Sequence, residues 1–218
     1  MKILLISSSP HKEQSRTFAL AKEVLEGLEG AGTETEVIQL ADCHVCFCLH
    51  CEACHKKILN CSVVDSVRAI LEKMLEADGI IIASPNYINQ VTGLMKTLMD
   101  RSAHFIHCKR LMGKYVAGVV SSGSGQNKEV LDYIKFYAHT CGAQYTGSAS
   151  CGWALSQNII KEAKKLGKKL IEDIREKRVY PDQTKLIEEG RAHFKEIIKL
   201  RKNDWEQEYQ YWQEKGWL

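Results

Sequence analysis

Short apolar runs that alternate with amphipathic helical patterns are the feature that most limits the fold of this chain. The runs at residues 2–7, 80–83 and 116–120 are almost continuously apolar, and serine, proline or glycine follows each of them. An apolar run without polar alternation is typical of a strand that is covered on both faces. A helical pattern follows each run, and such crossovers predict parallel strands with helices on both sides of the sheet.

The whole alternation predicts a doubly wound, five-stranded parallel sheet with the flavodoxin-like strand order. Predicted strands lie at residues 2–7, 35–40, 80–83, 116–120 and 144–149, and the helical patterns begin near residues 15, 64, 91, 128 and 159. The first of these helices is expected to end near residues 30–32, where glycines interrupt the pattern.

Pro181 interrupts the alternation. We interpret residues 1–180 as one α/β domain with a cysteine-rich insert at 43–61, and residues 181–218 as a helical extension. The extension carries Trp205, Tyr209 and Trp212 at helical spacing, followed by Trp217. This aromatic stripe either packs on its own domain or forms an arm that reaches a second subunit, because so short a segment cannot form its own core.

The insert holds the most specific chemical signal in the chain. Cys48, Cys51, Cys54 and Cys61 form the pattern C-x2-C-x2-C-x6-C. Four thiolates in such a compact run favour an iron–sulfur cluster, whereas zinc sites usually use two separated C-x2-C pairs. Zinc and the absence of any metal remain the alternatives. Cys43 and Cys46 lie just upstream as spare thiols or alternative ligands.

Three predicted loops are rich in serine, glycine or asparagine and follow the first, third and fourth strands. They cover residues 8–17, 84–90 and 121–126. In open parallel sheets, ligands bind beyond the carboxyl ends of the strands, where the winding direction reverses. The first loop also leads into a helix N-terminus, which suits a phosphate group, although a plain serine-rich turn would look the same.

Composition limits the class of protein. The chain of 218 residues has a formal charge of +3, and 26% of its residues are charged. The cations are spread along the chain, so we expect neither a nucleic-acid partner nor a membrane surface. The N-terminus does not read as a signal peptide, and nine cysteines then indicate a reducing, cytoplasmic location.

Three matches resemble a known family: Ser-Pro-His-Lys at 9–12, the cysteine run, and Ala-Ser-Pro-Asn-Tyr at 83–87 before a helix that ends in Leu-Met-Asp-Arg at 98–101. Over roughly residues 1–150 the chain resembles NADPH-dependent FMN reductase-type flavoproteins, specifically the iron–sulfur flavoprotein branch. The resemblance implies a flavodoxin-like fold, FMN, and a homodimer or homotetramer with a [4Fe-4S] cluster near a neighbouring subunit's flavin.

The resemblance also implies roles for particular residues. Those that would surround the FMN phosphate are Ser9, His11, Ser15, Arg16 and Thr17. Those that would line the isoalloxazine ring and ribityl chain are Ser84, Pro85, Asn86, Tyr87, Asn89, Ser122 and Gly123. The cluster ligands would be Cys48, Cys51, Cys54 and Cys61.

The chain departs from the family pattern at the first loop and at the first cysteine. It has Ser-Ser-Pro-His at 8–11 where the family usually has Gly-Ser-Pro-Arg, so one guanidinium is missing and Arg16 is the substitute. Phe47 precedes the first ligand where the family often has proline, and Cys46 is an alternative to Cys48.

We therefore expect an FMN-dependent oxidoreductase that passes electrons between FMN and a [4Fe-4S] cluster, with NAD(P)H as a transient donor. The partner would be a redox protein such as a ferredoxin, or a small-molecule acceptor. No side chain is assigned a covalent catalytic role. The alternatives are a cluster-free NAD(P)H-dependent FMN or quinone reductase, and a non-enzymatic thiol or zinc redox sensor.

Overall fold

A single five-stranded sheet organises the chain. The structure is a computed structural model that describes residues 1–28, 30 and 32–218. The strands are β1 (Lys2–Ser7), β2 (Glu34–Gln39), β3 (Gly79–Pro85), β4 (Tyr115–Ser121) and β5 (Gln144–Cys151). They are parallel and lie in the order β2-β1-β3-β4-β5, which confirms the predicted doubly wound sheet.

Helices connect the strands and extend the chain. They are α1 (Arg16–Glu26), α2 (Ala53–Lys56), α3 (Val67–Glu76), α4 (Gly93–Asp100), α5 (Ala103–His107), α6 (Lys128–Cys141), α7 (Gln157–Arg175), α8 (Pro181–Leu200) and α9 (Glu206–Glu214). The first helix ends at Glu26, earlier than the predicted stop at residues 30–32, of which residue 31 lies outside the described part. Pro181 is the first residue of α8, where its missing N–H costs nothing.

The central strands are buried on both faces, as their continuous apolar character predicted. Ile80 and Ile82 of β3 pack with α3, α4, α5 and α6, whereas Ile81 and Ala83 pack with α1 and α7. The alternation follows from the two-residue period of a strand. Helices α1 and α7 approach each other closely at Gly27 and Gly167, where an added Cβ would meet opposing backbone.

The C-terminal helices build a third apolar cluster on the rest of the chain. Trp205 and Trp212 are buried in it together with Ile198 of α8 and Cys108, which follows α5. Trp205 and Trp212 therefore pack on their own domain, which is the first of the two predicted alternatives. Whether the extension also reaches a second subunit stays a prediction.

The topology directs three loops to one edge of the sheet. The winding direction reverses between β1 and β3, and the loops that follow β1, β3 and β4 emerge next to one another there. In the described part of the chain, no helix has the length and apolar character needed to cross a bilayer.

Candidate functional site

A cavity of about 340 Å³ opens where the three loops meet. Its lining carries hydroxyl and amide groups beside apolar surface and one exposed aromatic ring, that of Tyr87. The lining residues are Ser9, His11, Gln14, Ser15, Arg16, Thr17, Pro85, Asn86, Tyr87, Ser121, Ser122 and Gly123. Of the residues predicted for FMN, all except Ser84 and Asn89 line this cavity, and Gln14 and Ser121 line it without having been predicted.

The first loop presents a helix N-terminus to the cavity. Ser15 caps α1 by accepting a hydrogen bond from the N–H of Phe18 at 3.3 Å. The Thr17 and Ser121 hydroxyls lie 2.7 Å apart, so the first and third loops are joined beneath the cavity. Free N–H groups, hydroxyls and the positive end of a helix dipole form a donor set that fits a phosphate.

Arg16 is held at the mouth of the cavity by a residue that sequence reasoning missed. Its guanidinium lies 4.7 Å from the centre of the Trp153 ring, and Nη1 donates to the Trp153 carbonyl oxygen at 2.7 Å. Trp153 lies in the loop after β5, and its ring also passes beside Gly123. A guanidinium has five N–H donors, so this contact leaves others for an anionic ligand.

The second loop ends in a tight turn. The backbone groups of Tyr87 and Gln90 exchange hydrogen bonds of 3.0 and 3.2 Å, and Ile88 and Asn89 between them both have positive φ. This is the backbone pattern of a type I′ turn, which asparagine tolerates better than isoleucine. The Asn86 amide donates to the Gln126 carbonyl oxygen and so links the second loop to the third.

Two predicted FMN residues have other surroundings. Ser84 is buried; its hydroxyl donates to the Pro85 carbonyl oxygen at 2.9 Å and accepts from the N–H of Thr92 at 3.0 Å. It holds the start of the second loop from behind. Asn89 is exposed at the tip of the turn, where its side-chain oxygen accepts from the Asn86 amide at 3.4 Å.

Thiols of the cysteine segment, defined as residues 43–61, come close together in space. Burial, followed by the neighbouring thiols of Cys61 and Cys48 and the Glu208 carboxylate, raises the pKa of Cys54 to about 12. The Cys51 sulfur lies 3.0 Å from the Ser62 hydroxyl, whose hydrogen bond lowers the pKa of Cys51. Three of the four predicted ligands, Cys48, Cys54 and Cys61, therefore lie near one another, and four thiolates in so compact a run fit an iron–sulfur cluster.

The two additional cysteines have partners of their own. The Cys43 thiol is within 3.5 Å of the Gln39 carbonyl oxygen and packs against the sheet core. The Cys46 sulfur lies 3.3 Å from His44 Nε2, and the Cys46 N–H donates to the Asp65 carboxylate at 2.8 Å.

Arg101 lies beneath the cysteine segment and is buried there. Its guanidinium donates to the Cys61 sulfur at 3.2 Å and forms an ion pair with Asp65, with side chains 1% and 0% exposed. Burial raises the pKa of Asp65, but hydrogen bonds from Arg101, Cys46 and Val67 outweigh it and leave that pKa below its ordinary value. The sequence showed Arg101 only as the end of the α4 motif, without its role under the cysteines.

The C-terminal helix contacts the same segment from the other side. The buried carboxylate of Glu208 accepts from His55 Nδ1 at 2.6 Å and from His107 Nδ1 at 3.0 Å. Burial raises the pKa of Glu208, but these two hydrogen bonds outweigh it and lower the pKa overall. The stacked imidazoles each face a separate oxygen, a geometry that fits hydrogen bonding better than a shared metal ion.

Comparison with known proteins assigns the chain to a family. Residues 1–153 match the family model of the NADPH-dependent FMN reductases. The chain is 30% identical over its whole length to an iron-sulfur flavoprotein of Archaeoglobus fulgidus, which is covered completely. It is 42% identical to one of Methanocaldococcus jannaschii over 58% of this chain and 64% of that relative's length.

Solved structures support the same fold. A flavone reductase superposes with a TM-score of 0.65 at 23% identity, over 80% of this chain and 63% of that one. An NADH:FMN oxidoreductase in its apo form gives 0.60 at 22% identity, over 84% and 93% of the two chains. By the match of residues 1–153 and its full-length relative, the chain belongs to the NADPH-dependent FMN reductase family, whose members are flavin-dependent oxidoreductases that use FMN.

Proposed function

We propose that this flavin-dependent oxidoreductase passes electrons between FMN and a [4Fe-4S] cluster held by Cys48, Cys51, Cys54 and Cys61. The carrying observation is the compact run of these four cysteines, in which Cys48, Cys54 and Cys61 lie near one another. The relatives named iron-sulfur flavoproteins support the same assignment. Bound FMN would supply conversion between two-electron and one-electron transfer, and a cluster carries single electrons.

The residues of the cavity would bind and orient the flavin. In this proposal the first turn of α1 and the hydroxyls of Ser9, Ser15 and Thr17 hydrogen-bond the phosphate, and Arg16 adds a cation. Pro85, Asn86 and Tyr87 flank the ring system from one side, and Ser122 and Gly123 from the other. Because no acid–base group is required, the protein's task is to fix the ring and exclude water from one face.

Substitutions of different cysteines should differ sharply in their effect on the iron content of the protein. Protein purified without oxygen should contain FMN, about four irons per chain and matching sulfide. Cys51→Ala and Cys54→Ala should lose the iron and keep the flavin, because the cavity and the cysteine segment are separate structures. Cys43→Ala is the matched control and should keep both, since that thiol faces the sheet core.

Other outcomes point to other functions. Full iron content in both Cys51→Ala and Cys54→Ala would refute the ligand assignment. Flavin without iron in the wild-type protein would favour a cluster-free NAD(P)H-dependent reductase of flavins or quinones. Zinc without flavin would favour a thiol-based sensor.

We further propose that the protein works as a homodimer or homotetramer, with residues 1–180 as the FMN-binding domain and residues 181–218 as an extension. NAD(P)H would be a transient donor, and a ferredoxin-type protein or a small molecule the acceptor. Sedimentation analysis of the flavin-loaded protein measures the assembly directly, and a purely monomeric species would contradict it. Anaerobic bleaching of the flavin by NADPH and by NADH compares the donors.

A further inference from the structure

Both terminal nitrogens of the buried Arg101 guanidinium have hydrogen-bond acceptors. Arg101 follows α4 and contacts both the cysteine segment and the residues just after that segment. Nη1 donates to the Cys46 carbonyl oxygen at 2.7 Å and to Asp65 at 2.8 Å. Nη2 donates to Cys61 Sγ at 3.2 Å, to Asp65 at 3.1 Å and to the Val63 carbonyl oxygen at 3.4 Å.

The Arg101–Asp65 pair is a forked ion pair shielded from water. Nη1 faces Oδ2 and Nη2 faces Oδ1, so the planar guanidinium meets both carboxylate oxygens. Burying two charges costs free energy that a buried pair regains only with good geometry and further hydrogen bonds. Here the further acceptors are the backbone and sulfur of the cysteine segment, so the pair is oriented towards Cys61.

Cys61 differs from Cys48 and Cys51 in the charge of its neighbour. The Cys51 sulfur lies beside a neutral hydroxyl, that of Ser62, and the Cys48 sulfur accepts from the N–H of His50 at 3.4 Å. The Cys61 sulfur accepts from a guanidinium that always carries its charge. A fixed cation at a ligand sulfur stabilises the more negative, reduced state of a metal centre.

We propose that Arg101 is a positioning residue that fixes Cys61 and raises the reduction potential of the cluster, and that Asp65 offsets part of this effect. The inference rests on the proposed function, because it requires iron at the cysteine segment. The exposed cations of the segment cannot replace Arg101, since water and salt screen a charge at the surface.

A purely structural role for the pair makes a different prediction. If Arg101 and Asp65 only hold the loop together, removing either partner loosens the same loop and moves every property in the same direction. If the pair sets the potential, removing the cation and removing the anion move the potential in opposite directions. The sign of the shift therefore separates the two roles.

The experiment is a potentiometric titration of the protein that carries iron and FMN, monitored by electron paramagnetic resonance. Arg101→Gln should lower the reduction potential of the cluster, and Asp65→Asn should raise it. Arg101→Lys keeps the charge without the forked geometry and should lie between wild type and Arg101→Gln. Lys56→Gln is the control, because Lys56 is an exposed cation close to Cys54 in the chain, and it should leave the potential unchanged.

Iron content and the stability of the apo protein complete the design. Shifts of equal sign in Arg101→Gln and Asp65→Asn, or no shift with full iron, would overturn the proposal. If Arg101→Gln does not retain iron, the proposal is decided by Asp65→Asn and Arg101→Lys. An unchanged reduction potential of the cluster in both variants would overturn the proposal. Wild-type protein that binds FMN without iron would instead refute the proposed function, so the two failures are distinguishable.

Discussion

Arg16 carries the positive charge that the first loop lacks at position 11. Trp153 already orients the Arg16 guanidinium. Arg16 would therefore lose little conformational freedom when a phosphate binds at the start of α1. A hydrogen bond to a charged group contributes roughly 1.5–3 kcal/mol. Arg16→Ala should therefore raise the dissociation constant for FMN roughly ten- to hundredfold, measured by quenching of flavin fluorescence.

Trp153→Ala tests the support of Arg16 separately. It removes the ring under the guanidinium and leaves the charge, so the loss of FMN affinity should be smaller than in Arg16→Ala. Arg68→Ala is the control, since Arg68 is exposed on α3 and pairs with Glu72 there. Equal FMN affinity in wild type and Arg16→Ala would remove Arg16 from the phosphate site.

His104 makes the stability of the fold depend on pH. Burial, with a smaller effect of the nearby Arg110 cation, lowers the pKa of His104 to about 3. The unfolded chain therefore binds a proton between about pH 6.5 and pH 3 that the folded chain does not. Stability from this group is complete above pH 6.5 and decreases as the pH falls, by about 2 kcal/mol at pH 5.

The variant His104→Leu removes this titrating group and places an apolar side chain of similar size in the core. Its free energy of unfolding in urea should fall less than that of wild type between pH 7 and pH 5, by about 2 kcal/mol. Parallel decreases in the two proteins would show that His104 is not the titrating group.

Serine positions illustrate how far residue patterns reach. Ser9 and Ser84 both follow predicted strands in serine- and proline-containing loops, and the family resemblance implies both as FMN residues. Ser9 lines the cavity, whereas the Ser84 hydroxyl faces the backbone of its own loop. The pattern places a loop at an edge but does not say which way each side chain turns. Trp153 could have been predicted as a neighbour of the site, because the loop after β5 emerges at the same edge of the sheet.

At the level of helices, α9 is attached to α2 through a buried carboxylate. Glu208 is fully buried between His55 and His107, and Trp205 stacks on the His107 ring and lies tilted against that of His55. Glu208→Leu should destabilise the fold by about 2–6 kcal/mol, because each of the two imidazoles left without its acceptor costs about 1–3 kcal/mol. Glu208→Gln keeps one acceptor oxygen and should cost less.

Urea denaturation of the apo protein measures these free energies of unfolding. Glu214→Gln is the matched control on the exposed side of the same helix and should change the stability by less than about 0.5 kcal/mol. If Glu208→Leu unfolds at the same urea concentration as wild type, the contact between α9 and α2 contributes little to stability.

The larger elements follow the sequence patterns well because their physical cause is local. The five strands and the crossover helices α1, α3, α4, α6 and α7 reflect hydrophobic periodicity. The short helices α2 and α5 were not predicted, since segments of this length are held by tertiary contacts rather than by their own propensity. The aromatic stripe of the tail was recognised, but its partner was not, because periodicity shows only that a face is buried.

For the whole molecule, FMN should stabilise the folded state by mass action. At a free concentration one hundred times its dissociation constant, a ligand that binds only the folded state adds about 2.7 kcal/mol. The midpoint of thermal unfolding should therefore rise with added FMN. Riboflavin lacks the phosphate that the α1 terminus is proposed to bind, so at the same concentration it should raise the midpoint less. Equal effects of the two flavins would argue against a phosphate site in the first loop.

The attachment of the C-terminal helices to the cysteine segment also has a consequence for the order in which the protein matures. His55 and its partner Glu208 are separated by 153 positions in the chain, and Trp205 and Gln207 bond to Glu52 and Ile58 over similar separations. On the ribosome, the cysteines are therefore made long before the residues that hold them. We expect the proposed cluster to be inserted after translation, into an essentially completed fold rather than into the growing chain.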